Sequence, residues 1–100
     1  KEAGSSDLVD QVFAKLAPDE KTAVIIATRK GALIKTNRSQ EIGKTYAAWA
    51  SSMCKNTNSH LSEEVRLMRV ATTDSEITIS TIPQSQFLLV TVHSDKVTET

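Results

Sequence analysis

The side chains that can do chemistry are few in this chain, and they are scattered along it. Cys54, His60 and His93 are its only cysteine and histidines, and no two of them have the close spacing of a zinc site. The acidic pairs at 19–20 and 63–64 fall in predicted loops, where solvated carboxylates are expected. The serines lack the glycine-flanked elbow of a serine hydrolase. The sequence therefore predicts no enzyme, with no catalytic residue, metal ligand or cofactor site.

A phosphate-binding loop is the one alternative that a local motif raises, in the stretch TAVIIATRKGALIKT (22–36). A phosphate cradle needs several glycines so that successive N–H groups point at one anion, usually where a helix begins. Here a single glycine, Gly31, follows Lys30, and an apolar strand comes next. The pattern favours a hairpin turn in which Gly31 supplies the positive φ that a tight turn needs.

Composition limits the remaining classes. The chain has 100 residues, a formal net charge of zero and 39% hydrophobic residues. Neutrality argues against a nucleic-acid or membrane-surface binder, and no apolar run approaches the ~20 residues that span a bilayer. A single cysteine excludes an internal disulfide and indicates a reducing compartment. We expect one soluble cytoplasmic domain over residues 1–100, ordered from about residue 6 to residue 94 and followed by a polar tail.

Hydrophobic periodicity predicts two helices and five strands in the order α-β-β-α-β-β-β. This order is typical of an α/β fold with a mixed or antiparallel sheet. Asp7 is the predicted cap of the first helix, and Ser39 or Asn37 that of the second. The predicted elements are a helix over Asp7–Leu16, strands over Ala23–Ala27 and Ala32–Lys35, a helix over Gln40–Thr57, and strands over Val65–Ala71, Glu76–Thr81 and Phe87–Val92.

The second helix carries an apolar arc wider than one packing surface needs. One half is bulky and the other half is small, so two interpretations stay open. Either both halves are buried within the domain, or the helix packs on its own sheet and on something else. The bulky half comprises Ile42, Tyr46, Trp49 and Met53, and the small half comprises Gly43, Ala47, Ala50 and Cys54.

The last three strands predict a sheet with an open edge. Val65–Ala71 alternates imperfectly, with Arg66 and Arg69 on opposite faces, which is typical of an edge strand. Glu76–Thr81 alternates cleanly and directs its isoleucines inward, and Phe87–Val92 is apolar enough for a central strand.

These elements resemble the roadblock-type dynein light chains, almost without gaps from Asp7 to His93. AVIIATRKGALIKT resembles that family's first hairpin, with Gly31 on its turn glycine, and TYAAW resembles the start of its second helix. RLMRV, EITIS and FLLVTV are similar to its last three strands. Two departures are Ala23, where many members have glycine, and the longer TIPQSQ connection.

The resemblance implies a profilin-like sandwich that forms homodimers by joining third strands edge to edge and packing second helices together. It implies a non-catalytic light chain of cytoplasmic dynein, in the cytoplasm and on the microtubule cytoskeleton, whose dimer binds a segment of the dynein intermediate chain and supports cargo transport. The alternative is a scaffold or regulator of small GTPases, because related roadblock domains serve bacterial polarity GTPases and the lysosomal Ragulator complex. No nucleic acid and no membrane insertion are implied. The predicted interface comprises Gly43, Ala47, Ala50, Cys54 and Trp49 on the helix and Arg66, Met68 and Val70 on the strand.

Overall fold

A computed structural model describes residues 2–16, 21–82 and 85–94 of the chain. Two helices and five strands follow in the predicted order. The polar tail predicted after residue 94 lies outside the described residues. So does Ala17-Pro18, where the sequence predicts that the first helix stops, because the residue before a proline avoids the α region. The elements are α1 (Glu2–Lys15), β1 (Thr22–Thr28), β2 (Leu33–Thr36), α2 (Gln40–Leu61), β3 (Leu67–Ala71), β4 (Ser75–Thr81) and β5 (Phe87–Ser94).

Both helices are longer than predicted. α1 begins at Glu2, so Asp7 lies inside the helix and does not cap it. α2 begins as predicted, because the Ser39 hydroxyl accepts a hydrogen bond from the Ile42 N–H at 3.2 Å. It continues four residues past the predicted end and stops where Ser62 adopts a left-handed conformation. No glycine or proline marks that end in the sequence, so the pattern placed it too early.

The strands form one fully antiparallel sheet in the order β2-β1-β5-β4-β3. β5 is central and β3 is an edge strand, and both predictions are confirmed. The opposite edge is β2, a strand of four residues whose pairing with β1 shifts register between Ile26 and Ala27. The two open edges of the sheet therefore differ, since one is regular and the other is short and irregular.

The sheet is covered on both faces, which explains the uninterrupted apolar run of β1. Ile25 and Ala27 face α2 within the larger core, and Val24 and Ile26 face α1 within the smaller one. Of the five residues from Ala23 to Ala27, all except Ala23 are completely inaccessible to solvent. The sandwich of α1, sheet and α2 matches the predicted architecture.

The β1–β2 turn is the hairpin that the sequence predicted. Gly31 has φ of 100°, a conformation that L side chains rarely adopt. Its N–H donates to the Thr28 carbonyl at 2.9 Å, and the Thr28 N–H donates to the Ala32 carbonyl at 2.8 Å. These bonds close the turn before a strand, so no helix N-terminus is present to bind a phosphate.

Candidate interaction surface

The small half of α2 lies against the chain's own sheet. Ala47 and Ala50 have no exposed surface, and Cys54 is also buried in the larger core. A Cβ atom added to Gly43 would lie 2.9 Å from both Leu33 Cδ2 and Thr36 Cγ2, so these β2 side chains would have to shift to admit a larger residue. The four small residues therefore allow the helix to sit low on the sheet. The domain itself covers these four residues, so in a single copy they offer little surface to the second copy that the sequence predicted there.

The bulky half of α2 forms a flank roughly a quarter turn from the small residues, as 100° per residue requires. Tyr46, Trp49 and Met53 are half-buried and pack against the larger core. The Tyr46 and Trp49 rings meet edge to face, with centroids 6.3 Å apart and planes at 80°. At the start of the helix, Ile42 keeps 44% of its surface exposed. We call Ile42, Tyr46, Trp49 and Met53 the apolar flank.

An open groove of about 370 Å³ runs along the first turns of the apolar flank. It is lined by Glu41, Ile42, Thr45 and Tyr46. Its walls combine the aliphatic Ile42 and the aromatic Tyr46, a residue type enriched at protein interfaces, with a carboxylate and a hydroxyl.

The predicted strand residues of the interface lie at the free edge of the sheet. Met68 and Val70 are half-buried and belong to the same core as the apolar flank. Arg66 is exposed and comes just before β3 begins. On the other face of β3, Arg69 lies 3.9 Å from Glu76, and both side chains are mostly in solvent. Contact of Arg66, Met68 and Val70 with a second copy stays a prediction.

Sequence reasoning missed the exposure of Leu67, which keeps 60% of its surface in solvent on β3. The signal was present, because the alternation of β3 puts Leu67 on the same face as Arg69. α1 covers β1 and β5 on that face and does not shield this leucine. The edge strand therefore carries apolar side chains on both of its faces.

A second, smaller pocket of about 150 Å³ lies near the end of α2 and contains the chain's only thiol. The Arg29 guanidinium lies on one side of the pocket, where its Nη1 forms an ion pair of 2.6 Å with Glu64 Oε2. The backbone carbonyl of Arg29 accepts a hydrogen bond from the Ser51 hydroxyl at 2.8 Å. Burial raises the pKa of the Cys54 thiol, and the charge of Arg29 offsets only part of this rise. A thiol kept protonated in this way is a poor nucleophile.

The two histidines lie at other places and do not join Cys54. His60 Nδ1 is 2.9 Å from the Asn56 carbonyl, and His93 Nδ1 is 3.3 Å from the Thr22 hydroxyl. Within the described ranges, no three histidine, cysteine or acidic side chains gather as a metal site requires. Neither helix in the described part of the chain is long and apolar enough to cross a membrane.

Comparison with known proteins relates this architecture to a group of solved structures. No protein-family model and no curated protein match the sequence. The Roadblock/LC7 domain from Streptomyces avermitilis superposes with a TM-score of 0.68 at 16% identity, covering 83% of this chain and 73% of that one. The gliding protein MglB from Thermus thermophilus superposes with a TM-score of 0.69 at 14% identity, covering 90% and 73%. An MglB structure with a tetrameric arrangement reaches 0.70 at 15% identity, covering 92% and 74%.

Identities near 15% are evidence for a shared fold alone, and the fold agrees over most of both chains. The order of elements and the five-stranded sheet that carries helices are the features that the resemblance implied. The chain has the fold of the Roadblock/LC7 domains.

Proposed function

We propose that this chain is a non-catalytic roadblock-type scaffold that forms a homodimer and binds a protein partner. The observations that carry the proposal are the half-buried apolar flank of α2 and the open edge of β3, which border the same core. Single exposed apolar residues are ordinary on a soluble protein. A half-buried aromatic pair on a core that also borders an unpaired strand edge is a different case, because a second copy related by a twofold axis can cover both features.

The partner that we propose is a small GTPase of the Ras-like class. The resemblance implied two roles for roadblock domains, and it associated the bacterial ones with polarity GTPases. Two of the similar structures described above bear the name MglB, and the names of the three reported structures do not mention dynein. This favours the GTPase alternative over the dynein light chain that the sequence first indicated. The dynein intermediate chain becomes the competing partner in the experiment.

The dimer is tested by placing a charge on the apolar flank. In Trp49→Glu the carboxylate would be buried at the contact, which costs several kcal/mol when it is unpaired, so sedimentation velocity should show monomers. Ile42→Glu, at a more exposed position of the flank, serves as a second variant if Trp49→Glu melts at a much lower temperature. Ser52→Glu adds the same charge to an exposed position off the flank and should stay dimeric. Dimers of unchanged affinity in both flank variants would contradict the proposal.

Partner capture follows from the same variants. The tagged wild-type chain is used as bait in a lysate under reducing conditions, once with added GTP analogue and once with GDP. A Ras-like GTPase in the eluate that responds to the nucleotide and is lost with Trp49→Glu is the expected result. Recovery of a dynein intermediate chain instead would restore the light-chain function and reject the GTPase proposal.

A further inference from the structure

The hydrogen bonds between β3 and β4 determine which backbone groups face the free edge. The Thr81 N–H donates to the Arg66 carbonyl at 3.2 Å, and the Thr72 N–H donates to the Ser75 carbonyl at 2.8 Å. Antiparallel pairs alternate between hydrogen-bonded and non-hydrogen-bonded, so the even-numbered residues from 66 to 72 direct their backbone groups toward β4. The N–H and C=O groups of Leu67, Arg69 and Ala71 therefore point away from the sheet.

This alternation restricts how a second copy can pair with β3, an inference that rests on the proposed dimer. Two identical antiparallel strands bond only when outward-facing residues oppose outward-facing residues. Under that condition paired side chains share a face, so both α2 helices lie on the same side of a continuous sheet. The remaining freedom is a shift of the center along the strand, which places Met68, Arg69 or Val70 on the twofold axis.

With Arg69 on the twofold axis, all three outward-facing residues of β3 form hydrogen-bonded pairs with the partner's β3. Leu67 then opposes the partner's Ala71, Arg69 opposes the partner's Arg69, and Ala71 opposes the partner's Leu67. On the α2 face, Met68 packs against the partner's Val70, so the apolar side chains meet each other beneath the helices.

If the twofold axis passes through Met68 or Val70 instead, only two hydrogen-bonded pairs form within β3, one fewer than with Arg69 on the axis. A center on Met68 needs Val65 to oppose Ala71, but the Val65 N–H already donates to Asn58 Oδ1 at 2.6 Å. A center on Val70 needs Thr73 to oppose Leu67, but Thr73 lies in the bend between β3 and β4. Both shifts also leave fewer apolar cross-strand pairs.

We propose that Arg69 lies on the twofold axis of the homodimer, opposite the partner's Arg69. The two guanidinium groups repel each other, which opposes pairing. Glu76, 3.9 Å from Arg69 on the adjacent strand, supplies a compensating charge in each copy. Repulsion between the two guanidinium groups therefore weakens self-association, and self-association strengthens when salt screens these like charges.

Disulfide trapping tests the register with both arginines in place. Met68→Cys and Val70→Cys are made separately in a Cys54→Ala background, mixed in equal amounts and mildly oxidized. A center on Arg69 puts these two cysteines directly opposite each other, at the Cα separation of a non-hydrogen-bonded pair. Identical cysteines would then sit diagonally, ~7–8 Å apart, at or beyond the reach of a disulfide.

We expect disulfides between the two different variants to form at least about tenfold faster than disulfides between identical variants. Met68→Cys linking to itself, or Val70→Cys linking to itself, would overturn the register while leaving the dimer intact. Sedimentation of the unoxidized proteins distinguishes the other failures. Monomers would reject the proposed dimer, and dimers that yield no disulfide would show that the contact lies away from β3.

Arg69→Thr gives an independent measurement. At low salt this variant should dimerize about three- to fivefold more tightly than the wild type, and its dimerization Kd should change less with added salt. Arg66→Thr removes the same charge away from the axis and is the matched control. An equal response of the two variants would mean that net charge, and not the position on the axis, sets the affinity.

Discussion

Asn37 should contribute more to stability than its place at the end of a short edge strand suggests. Its Oδ1 accepts from the Val24 N–H at 2.9 Å, and its Nδ2 donates to the Thr22 carbonyl at 3.1 Å. Val24 has no exposed surface, so Asn37→Ala leaves a buried N–H group without an acceptor. An orphaned donor costs ~1–3 kcal/mol and the second lost bond about 1 kcal/mol. We expect a total loss of about 2–3 kcal/mol in the free energy of unfolding.

Urea denaturation followed by Trp49 fluorescence measures this loss. With a slope of ~1–3 kcal/mol per molar for a small domain, the midpoint should fall by roughly 0.7–3 M while the slope stays unchanged. Protein concentration must be equal in every sample, because the proposed dimerization would make apparent stability depend on concentration. Asn37→Asp keeps the acceptor and should lose only about 1 kcal/mol. A loss below ~0.5 kcal/mol in Asn37→Ala would refute the reasoning, since water would then reach the Val24 N–H.

Three further predictions concern single positions. Gly31→Val should cost roughly 1–2 kcal/mol because of the positive φ, whereas Ala32→Val adds the same side chain to the next residue and should change the melting temperature little. Ser39→Ala removes the cap of α2 and should cost about 1 kcal/mol by urea denaturation; an unchanged midpoint would show that the cap is dispensable. Cys54 should react with a thiol reagent only at the rate of unfolding. Burial in the folded state raises the pKa of the Cys54 thiol. The stability that the protonated thiol contributes is therefore fully present below the ordinary thiol pKa of ~8.5, and it is lost as pH rises through the folded-state pKa. Wild type should therefore lose stability relative to Cys54→Ala above about pH 8.5, and parallel pH profiles would contradict this.

The order of elements and the central place of β5 followed from periodicity, because alternation and apolar runs report burial directly. The orientation of α2 did not follow. Both halves of its arc are apolar, and the choice between them depends on how closely β2 approaches the helix. Only the structure shows that Leu33 and Thr36 leave no room for a side chain at Gly43. The backbone role of Asn37 was also hidden, because an asparagine before a helix reads equally well as a cap.

The difference between the two edges of the sheet has a consequence for assembly size. A subunit that can add a strand on both sides grows into a filament, whereas one that can add a strand on a single side stops at two copies. β3 is regular, but β2 is short and bulged, and such an edge gives an incoming strand few matched backbone groups. In the proposed dimer, this difference would limit assembly through strand edges to two copies. Straightening the bulge is the change most apt to turn this protein into fibers.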